Sequence, residues 1–223
     1  MAADTIVAID GPAASGKSTI ARRVAKALGY AFLDTGAMYR AATWRALRDG
    51  VDLEDREALV KSTRAMDLSL STDGGTFKVM VDGQDVTAEI RAESVTSIIR
   101  ALDAIPEVRE RLVGLQREFG SGGGVVAEGR DMGTVVFPLA KCKIFLDASL
   151  ETRTKRRAEQ LREQGAAVDE EALRASIYAR DESDRNRGTA PLCAASDAYA
   201  LDTTSMSLDE VEATILERAR AAL

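Results

Sequence analysis

Thr5-Ile6-Val7-Ala8-Ile9-Asp10, running directly into Gly11-Pro12-Ala13-Ala14-Ser15-Gly16-Lys17-Ser18, decides the fold. The first six residues are an apolar run halted by Gly11-Pro12, which predicts a short buried strand. The next eight satisfy G-x4-G-K-S/T. Beyond them Ile20, Val24, Ala27 and Leu28 recur at helical spacing, predicting a helix over 18–28 closed by Gly29. A strand, a glycine-rich turn and a helix in this order make an anion cradle. The glycines let backbone N–H groups curl round a phosphate, and the helix N-terminus adds the positive end of its dipole. In such a loop Lys17 reaches the β- and γ-phosphates of ATP and the Ser18 hydroxyl binds Mg2+. Gly11, Pro12, Ala13, Ala14, Ser15, Gly16, Lys17, Ser18 and Thr19 are the candidate ATP-binding stretch, with the Thr19 side chain expected to pack.

Working outward, 31–34 is a second short apolar strand, and Thr35-Gly36 opens a helix carrying Met38, Tyr39, Ala42 and Leu47 to Gly50. Strand, helix and strand in this spacing form a βαβ unit, so the sheet should be parallel and covered by helices. The segments 67–71, 76–82 and 84–89 instead alternate apolar and polar residues around Asp73-Gly74-Gly75 and Asp82-Gly83, which predicts a small antiparallel insert. Helices are expected at 92–102 and Pro106–Phe119, buried strands at 125–127 and 143–146, charged helices at 151–162 and 169–187, a last strand at 198–201 and a closing helix at 208–223.

Composition narrows the chemistry. The chain of 223 residues has no histidine, which excludes a Ser-His-Asp triad, a His general base and a His-ligated metal. Its net charge of -6 and 4% aromatic content speak against a long nucleic-acid partner. Cys142 and Cys193 lack metal or disulfide spacing, which fits a reducing, cytoplasmic setting. No leader, membrane span or partner chain is expected, and the protein is read as a monomer. The only asparagine, Asn186, precedes Arg187, so the Asn-Lys-x-Asp guanine motif of GTPase switches is missing.

Three clusters besides the loop carry chemistry. Leu33-Asp34-Thr35-Gly36-Ala37-Met38-Tyr39-Arg40 follows the second strand, and Glu128-Gly129-Arg130-Asp131-Met132-Gly133-Thr134 follows the third. Ligands of open parallel sheets bind outside the carboxyl ends of the strands, which is where both fall. The third cluster is arginine-rich: Arg153, Arg156 and Arg157 on one helix, then Arg180 through Arg187. Arginines that close over a moving phosphoryl group stabilise its spread charge.

Together with Ile105-Pro106-Glu107-Val108-Arg109, the run from Gly129 to Pro138 and Lys143-Ile144-Phe145-Leu146-Asp147-Ala148-Ser149, these residues resemble the bacterial-type cytidylate kinases, nearly end to end. The resemblance implies an α/β P-loop three-layer sandwich with a central parallel sheet, a small antiparallel NMP-binding insert and a helical lid. Its core would comprise 1–35, 105–150 and 188–223, its NMP-binding region 36–104 and its lid 151–187. It implies transfer of phosphate from ATP to CMP or dCMP with Mg2+, with Lys17, Arg130, Arg153 and Arg157 as catalytic cations. The CMP site would hold Thr35, Tyr39, Arg40, Arg109, Arg130, Asp131, Arg180, Asp184 and Arg187. By resemblance Arg40 and Arg130 hold the acceptor phosphate, Arg180 and Asp184 face the sugar, and Arg109, Asp131 and Arg187 face the base. Two positions depart from the pattern: Arg100 stands where a small hydroxyl residue is usual, with Ser97 as a possible substitute, and Glu128 stands where Asp is common. Competing assignments are a P-loop kinase for UMP, AMP or a shikimate-like acceptor, and an ATP-binding regulator without turnover.

Overall fold

The computed structural model describes residues 5–73, 76–163 and 165–223. In chain order the elements are β1 (Ile6–Asp10), α1 (Lys17–Leu28), β2 (Ala31–Asp34), α2 (Thr35–Arg48), α3 (Arg56–Ala65), β3 (Leu68–Asp73), β4 (Thr76–Val81) and β5 (Gln84–Asp85). A 3-10 turn (Glu89–Arg91) follows, then α4 (Glu93–Thr96), α5 (Arg100–Asp103), α6 (Pro106–Phe119), β6 (Val125–Gly129) and a π-helical turn (Met132–Val136). The chain closes with β7 (Cys142–Asp147), α7 (Leu150–Glu163), α8 (Glu170–Asn186), β8 (Tyr199–Asp202) and α9 (Leu208–Ala222).

The main sheet has the order β2-β6-β1-β7-β8, and every pairing in it is parallel. All five residues of β1 are buried, as expected of a central strand covered on both faces. Helices α1 and α9 lie against each other and reach β6 and β7 respectively, while α6 packs on α2, α3 and the π-helical turn. The α/β class with a central parallel sheet is therefore as the sequence predicted.

The insert is an antiparallel sheet in the order β3-β4-β5. It shares the main core: Phe77, Val79 and Val81 belong to the same buried cluster as β1, and Phe77 meets Phe32 edge-on with ring centroids 5.3 Å apart. The turn expected at Gly74-Gly75 lies outside the described residues. The Asp82-Gly83 turn takes φ of 50° and 79°, the double left-handed conformation of a tight hairpin.

Three local expectations are corrected. Helix α3 was not foreseen; Asp55 starts it by accepting from the Ala58 N–H at 3.0 Å. The strand expected over 84–89 stops at Asp85, whose carboxylate turns the chain by accepting from the Thr87 N–H and hydroxyl. The single helix expected over 92–102 is broken into α4 and α5. Between them the Ala101 and Leu102 N–H groups donate to Ile98 and Ile99, tightening the ladder to i→i+3.

Candidate active site

The carboxyl ends of β1, β2 and β6 lie level, with Asp10 in register with Gly129 and Asp34 with Glu128. The phosphate-type loop and both clusters named above therefore open at one sheet edge. Gly11 is needed there because a Cβ would stand 2.0 Å from the Leu146 carbonyl oxygen. Ala14 and Gly16, with φ of 59° and 89°, bend the loop round its cradle.

Lys17 is buried and folded back on the loop, donating to the Pro12 carbonyl at 2.6 Å and the Ser15 hydroxyl at 3.2 Å. Burial, reinforced by Arg130 beside it, lowers its ammonium to about 7. The Ser18 hydroxyl donates to Glu128 Oε1. Burial, with Asp34 nearby, pushes the Glu128 carboxyl above its ordinary range. Thr19, expected to pack, is instead exposed on α1.

A second set of cations surrounds the space beyond Lys17. Arg40 leans on the Asp34 carboxylate at 3.0 Å, Arg130 on Asp184 at 2.8 Å. Arg180 is half-buried and has no hydrogen-bond or ion-pair partner among the described residues. Burial, then Arg130 and Arg40 close by, lower its guanidinium to about 10. Burial works against the charge on Arg130 too, but Asp184 outweighs it and holds that guanidinium above its usual range. Among the described residues, the Arg40 Nε and Arg187 Nη2 groups are buried without any hydrogen-bond acceptor. Buried donors left this way are costly, so a molecule carrying acceptors belongs beside them.

The third set sits on the far side. Buried Arg109 donates to Asp131 Oδ2, and Arg187 approaches the same oxygen at 3.9 Å. Among the described residues, Asp131 Oδ1 has no hydrogen-bond donor. The Arg109 guanidinium lies over the Tyr39 ring at 5.6 Å, and burial pushes the Tyr39 phenol well above its ordinary range. Thr35 donates to the Glu128 carbonyl at 2.8 Å, close under Gly129, where a Cβ would stand 2.6 Å from the Thr35 hydroxyl.

The Arg130-Asp131 pair owes its aim to Asp10. This carboxylate accepts from the Met132 and Gly133 N–H groups at 2.7 and 2.8 Å, pinning the π-helical turn to the end of β1. Burial pushes Asp10 up to about 6. Sequence reasoning passed over Asp10, whose only signal is an acid ending an otherwise apolar strand.

The structure brings Lys17, Thr35, Tyr39, Arg40, Arg109, Arg130, Asp131, Arg180, Asp184 and Arg187 to one region. The lid arginines differ from each other. Arg153 is buried, with Nη1 donating to Asp181 and to the Ala13 carbonyl and Nε to the Ala148 carbonyl. Arg157 is half-buried and among the described residues bonds only Gln160 on its own helix. Arg156 holds Thr203. Arg100 is exposed, and the Ser97 hydroxyl bonds back to the Glu93 carbonyl at 2.8 Å, so Ser97 does not replace the hydroxyl missing at 100. Asp103 was also missed. It ends α5 half-buried, with Asp184 and the guanidinium groups of Arg187, Arg109 and Arg180 as electrostatic neighbours, and burial raises its carboxyl.

A family model described as cytidylate kinase matches residues 7–221. The cytidylate kinase of Pelotomaculum thermopropionicum is 48% identical over 216 residues, covering 96% of both chains. That of Geobacillus kaustophilus is 49% identical over 211 residues, covering 95% of this chain and 94% of its own. Among solved structures, a gluconokinase from Sinorhizobium meliloti 1021 aligns with a TM-score of 0.50 at 16% identity, covering 98% of this chain and 93% of that one. That likeness concerns the fold alone.

Proposed function

From the premise that this chain belongs to the cytidylate kinase family and phosphorylates CMP or dCMP with ATP, we propose how its residues divide the work. The observation that carries the division is the convergence of Lys17, Arg40, Arg130 and Arg180, with Arg130 and Arg180 beside Lys17 and Arg40 beside Arg180, in a chain of net charge -6. Asp34 and Asp184 offset part of this charge, and anions bound between the cations would offset the rest. Lys17 and the amides of the loop hold the donor phosphates. Arg40 and Arg130 hold the acceptor phosphate, and Arg180 and Asp184 the sugar.

The phosphate of a nucleoside monophosphate is already largely ionised at neutral pH, so no strong base is required of the protein. That agrees with a site lacking histidine. The protein's contribution is in-line positioning of two anions and neutralisation of the charge that develops between them. A bound triphosphate keeps the Lys17 proton in place, reversing the depression that burial imposes on the free protein.

Asp131 supplies base recognition. Arg109 occupies Oδ2, which leaves Oδ1 to accept from the exocyclic amine of cytosine. Arg187 Nη2, buried without an acceptor among the described residues, is offered to the ring carbonyl.

Mg2+ fits the donor set at Ser18. Among the described residues no three acidic, Cys or His side chains gather as a metal cage. The Ser18 hydroxyl beside Glu128 offers one or two hard oxygens, the kind of partial shell that Mg2+ shares with nucleotide phosphates. When bound there it would neutralise charge on the donor phosphates. Arg157 serves as the lid cation and Arg153 acts on the loop. No helix among the described residues is long and apolar enough to cross a membrane, and we place the protein in the cytoplasm as a monomer.

The test is ADP release with CMP, dCMP, UMP, AMP and shikimate as acceptors. Release with CMP and dCMP well above the others is expected. Equal release with UMP or AMP would overturn base recognition by Asp131, and ATP binding without acceptor-dependent release would leave a regulator.

A further inference from the structure

Asp181 is 1% exposed and has no place in either substrate set described above. Its two carboxylate oxygens nonetheless join three parts of the protein. Oδ1 accepts from the Ala13 N–H at 2.9 Å, at the tip of the phosphate loop. Oδ2 accepts from Arg153 Nη1 at 2.5 Å, and the same nitrogen donates to the Ala13 carbonyl at 3.0 Å. Arg153 Nε donates in turn to the Ala148 carbonyl at 2.9 Å, just past the end of β7. One loop residue is thus gripped through both of its backbone polar groups, by a carboxylate on α8 and a guanidinium on α7. A buried pair of this kind is a weak source of net stability, because the desolvation of both charges offsets their attraction. What it provides is a fixed relation between the groups it joins.

Arg180 and Asp184 flank Asp181 on α8, one residue before it and three after. We propose that Asp181 and Arg153 are positioning residues that latch α8 to the phosphate loop, so that ATP and CMP bind synergistically. The proposal rests on the assignment of the loop to the donor and of α8 to the acceptor. Either nucleotide orders its own element, and the latch passes that order to the other element. The second nucleotide then meets a site whose ordering cost has been met. By linkage the effect is reciprocal: each substrate tightens the other by the same factor.

The test is calorimetric titration of CMP into the whole protein, with and without saturating adenylyl imidodiphosphate and Mg2+. The parent protein should bind CMP at least roughly 5-fold tighter when the analogue is present, the lower end of ordinary coupling. In Asp181→Asn an amide faces the Arg153 fork where a carboxylate stood. That ratio should fall to near 1, while the Kd for CMP alone moves by less than about 3-fold. Arg153→Lys keeps the cation on Asp181 but lacks the planar fork that reaches Ala13, Ala148 and Asp181 together. It should fold, and should retain less than half of the ratio, so it answers the question even if Asp181→Asn does not fold. A ratio unchanged in Arg153→Lys, or in a folded Asp181→Asn, would overturn the latch and leave Asp181 a structural group. A parent protein that binds both nucleotides with a ratio of 1 would also overturn the latch, with the kinase assignment standing. A parent protein that binds no CMP would overturn the assignment of α8 to the acceptor, and the latch with it.

Discussion

Lys17 shows how one residue ties the charge balance of the site to measurable behaviour. Burial holds its ammonium near 7, against 10.5 for the free side chain. Between those values the folded protein carries fewer protons than the unfolded chain, so folding is favoured more as pH rises. The cost of the buried charge is full below about pH 7 and shrinks toward pH 10.5. Lys17→Met, at nearly constant volume, should therefore melt above the parent at about pH 6, with the gap closing as pH approaches 10; thermal melts across that range decide it. Turnover of the variant should fall by on the order of 100-fold or more, as when other preorganised electrostatic contacts are removed. Near-normal turnover would take Lys17 out of the donor site. In the parent, kcat/KM for ATP should decline above about pH 7, because that ratio reports the free enzyme, in which Lys17 has lost its proton. Asp131 makes a different prediction. Asp131→Asn can turn its amide to donate to uracil O4, so activity on CMP should drop and the CMP-to-UMP ratio of kcat/KM narrow by roughly tenfold or more. Equal losses on both acceptors would move base recognition to Arg109 or Arg187.

Elements show why some of this was legible and some was not. β1, β6 and β7 were readable because short apolar runs bounded by polar or turn-forming residues admit few other structures. Helix α3 was not, since only Leu59 and Thr63 are buried on it and so thin a stripe leaves little periodicity. The π-helical turn was invisible for another reason. Its amides at Met132 and Gly133 are held by Asp10, and no local pattern announces a hydrogen bond to a carboxylate so distant in the chain. Lys17, Thr35, Arg40, Arg130 and Asp131 were found because they cluster after strand ends, and the arginines of α7 and α8 because they crowd together, with Arg109 and Asp184 added by resemblance; Asp181 and Asp103 lie within or at the end of helices, where most acids are solvated. Helix α2 makes the testable case at this scale. Its N-cap, Asp34, accepts from the Ala37 N–H at 2.8 Å and also holds Arg40 and Arg91. Asp34→Ala should lose about 1 kcal/mol of stability through the cap. Asp34→Asn keeps a capping oxygen and should melt close to the parent. Both should raise the KM for CMP, because Arg40 loses the carboxylate that aims it; an unchanged KM in both would separate Arg40 from the acceptor phosphate.

Across the whole molecule, α7 is tied to other elements more closely at its N-terminal half than beyond it. The N-terminal half of α7 is anchored through Arg153 and Arg156, while among the described residues Arg157 and Arg162 hydrogen-bond to Gln160 of α7 itself and to exposed Glu170. With adenylyl imidodiphosphate and CMP both bound, amide exchange should slow over residues 157–163 and change little over 150–156, which the contacts to Ala13, Ala148 and Thr203 already protect. Uniform slowing along α7 would mean that the anchor is not fixed beforehand. The sheet order carries a consequence for how the protein comes into being. β1 lies between β6 and β7, whose paired residues begin at Val125 and Cys142, while its own begin at Ile6 and Val7. During synthesis β1 therefore leaves the ribosome before either neighbour, with the whole stretch from Gly11 to Gly124 between it and the nearer of them. For that interval Ile6 to Ile9 are an unpaired, sticky edge. During synthesis, chaperone occupancy at the N-terminal strand should persist until β7 has emerged, and the nucleotide cradle cannot close before then.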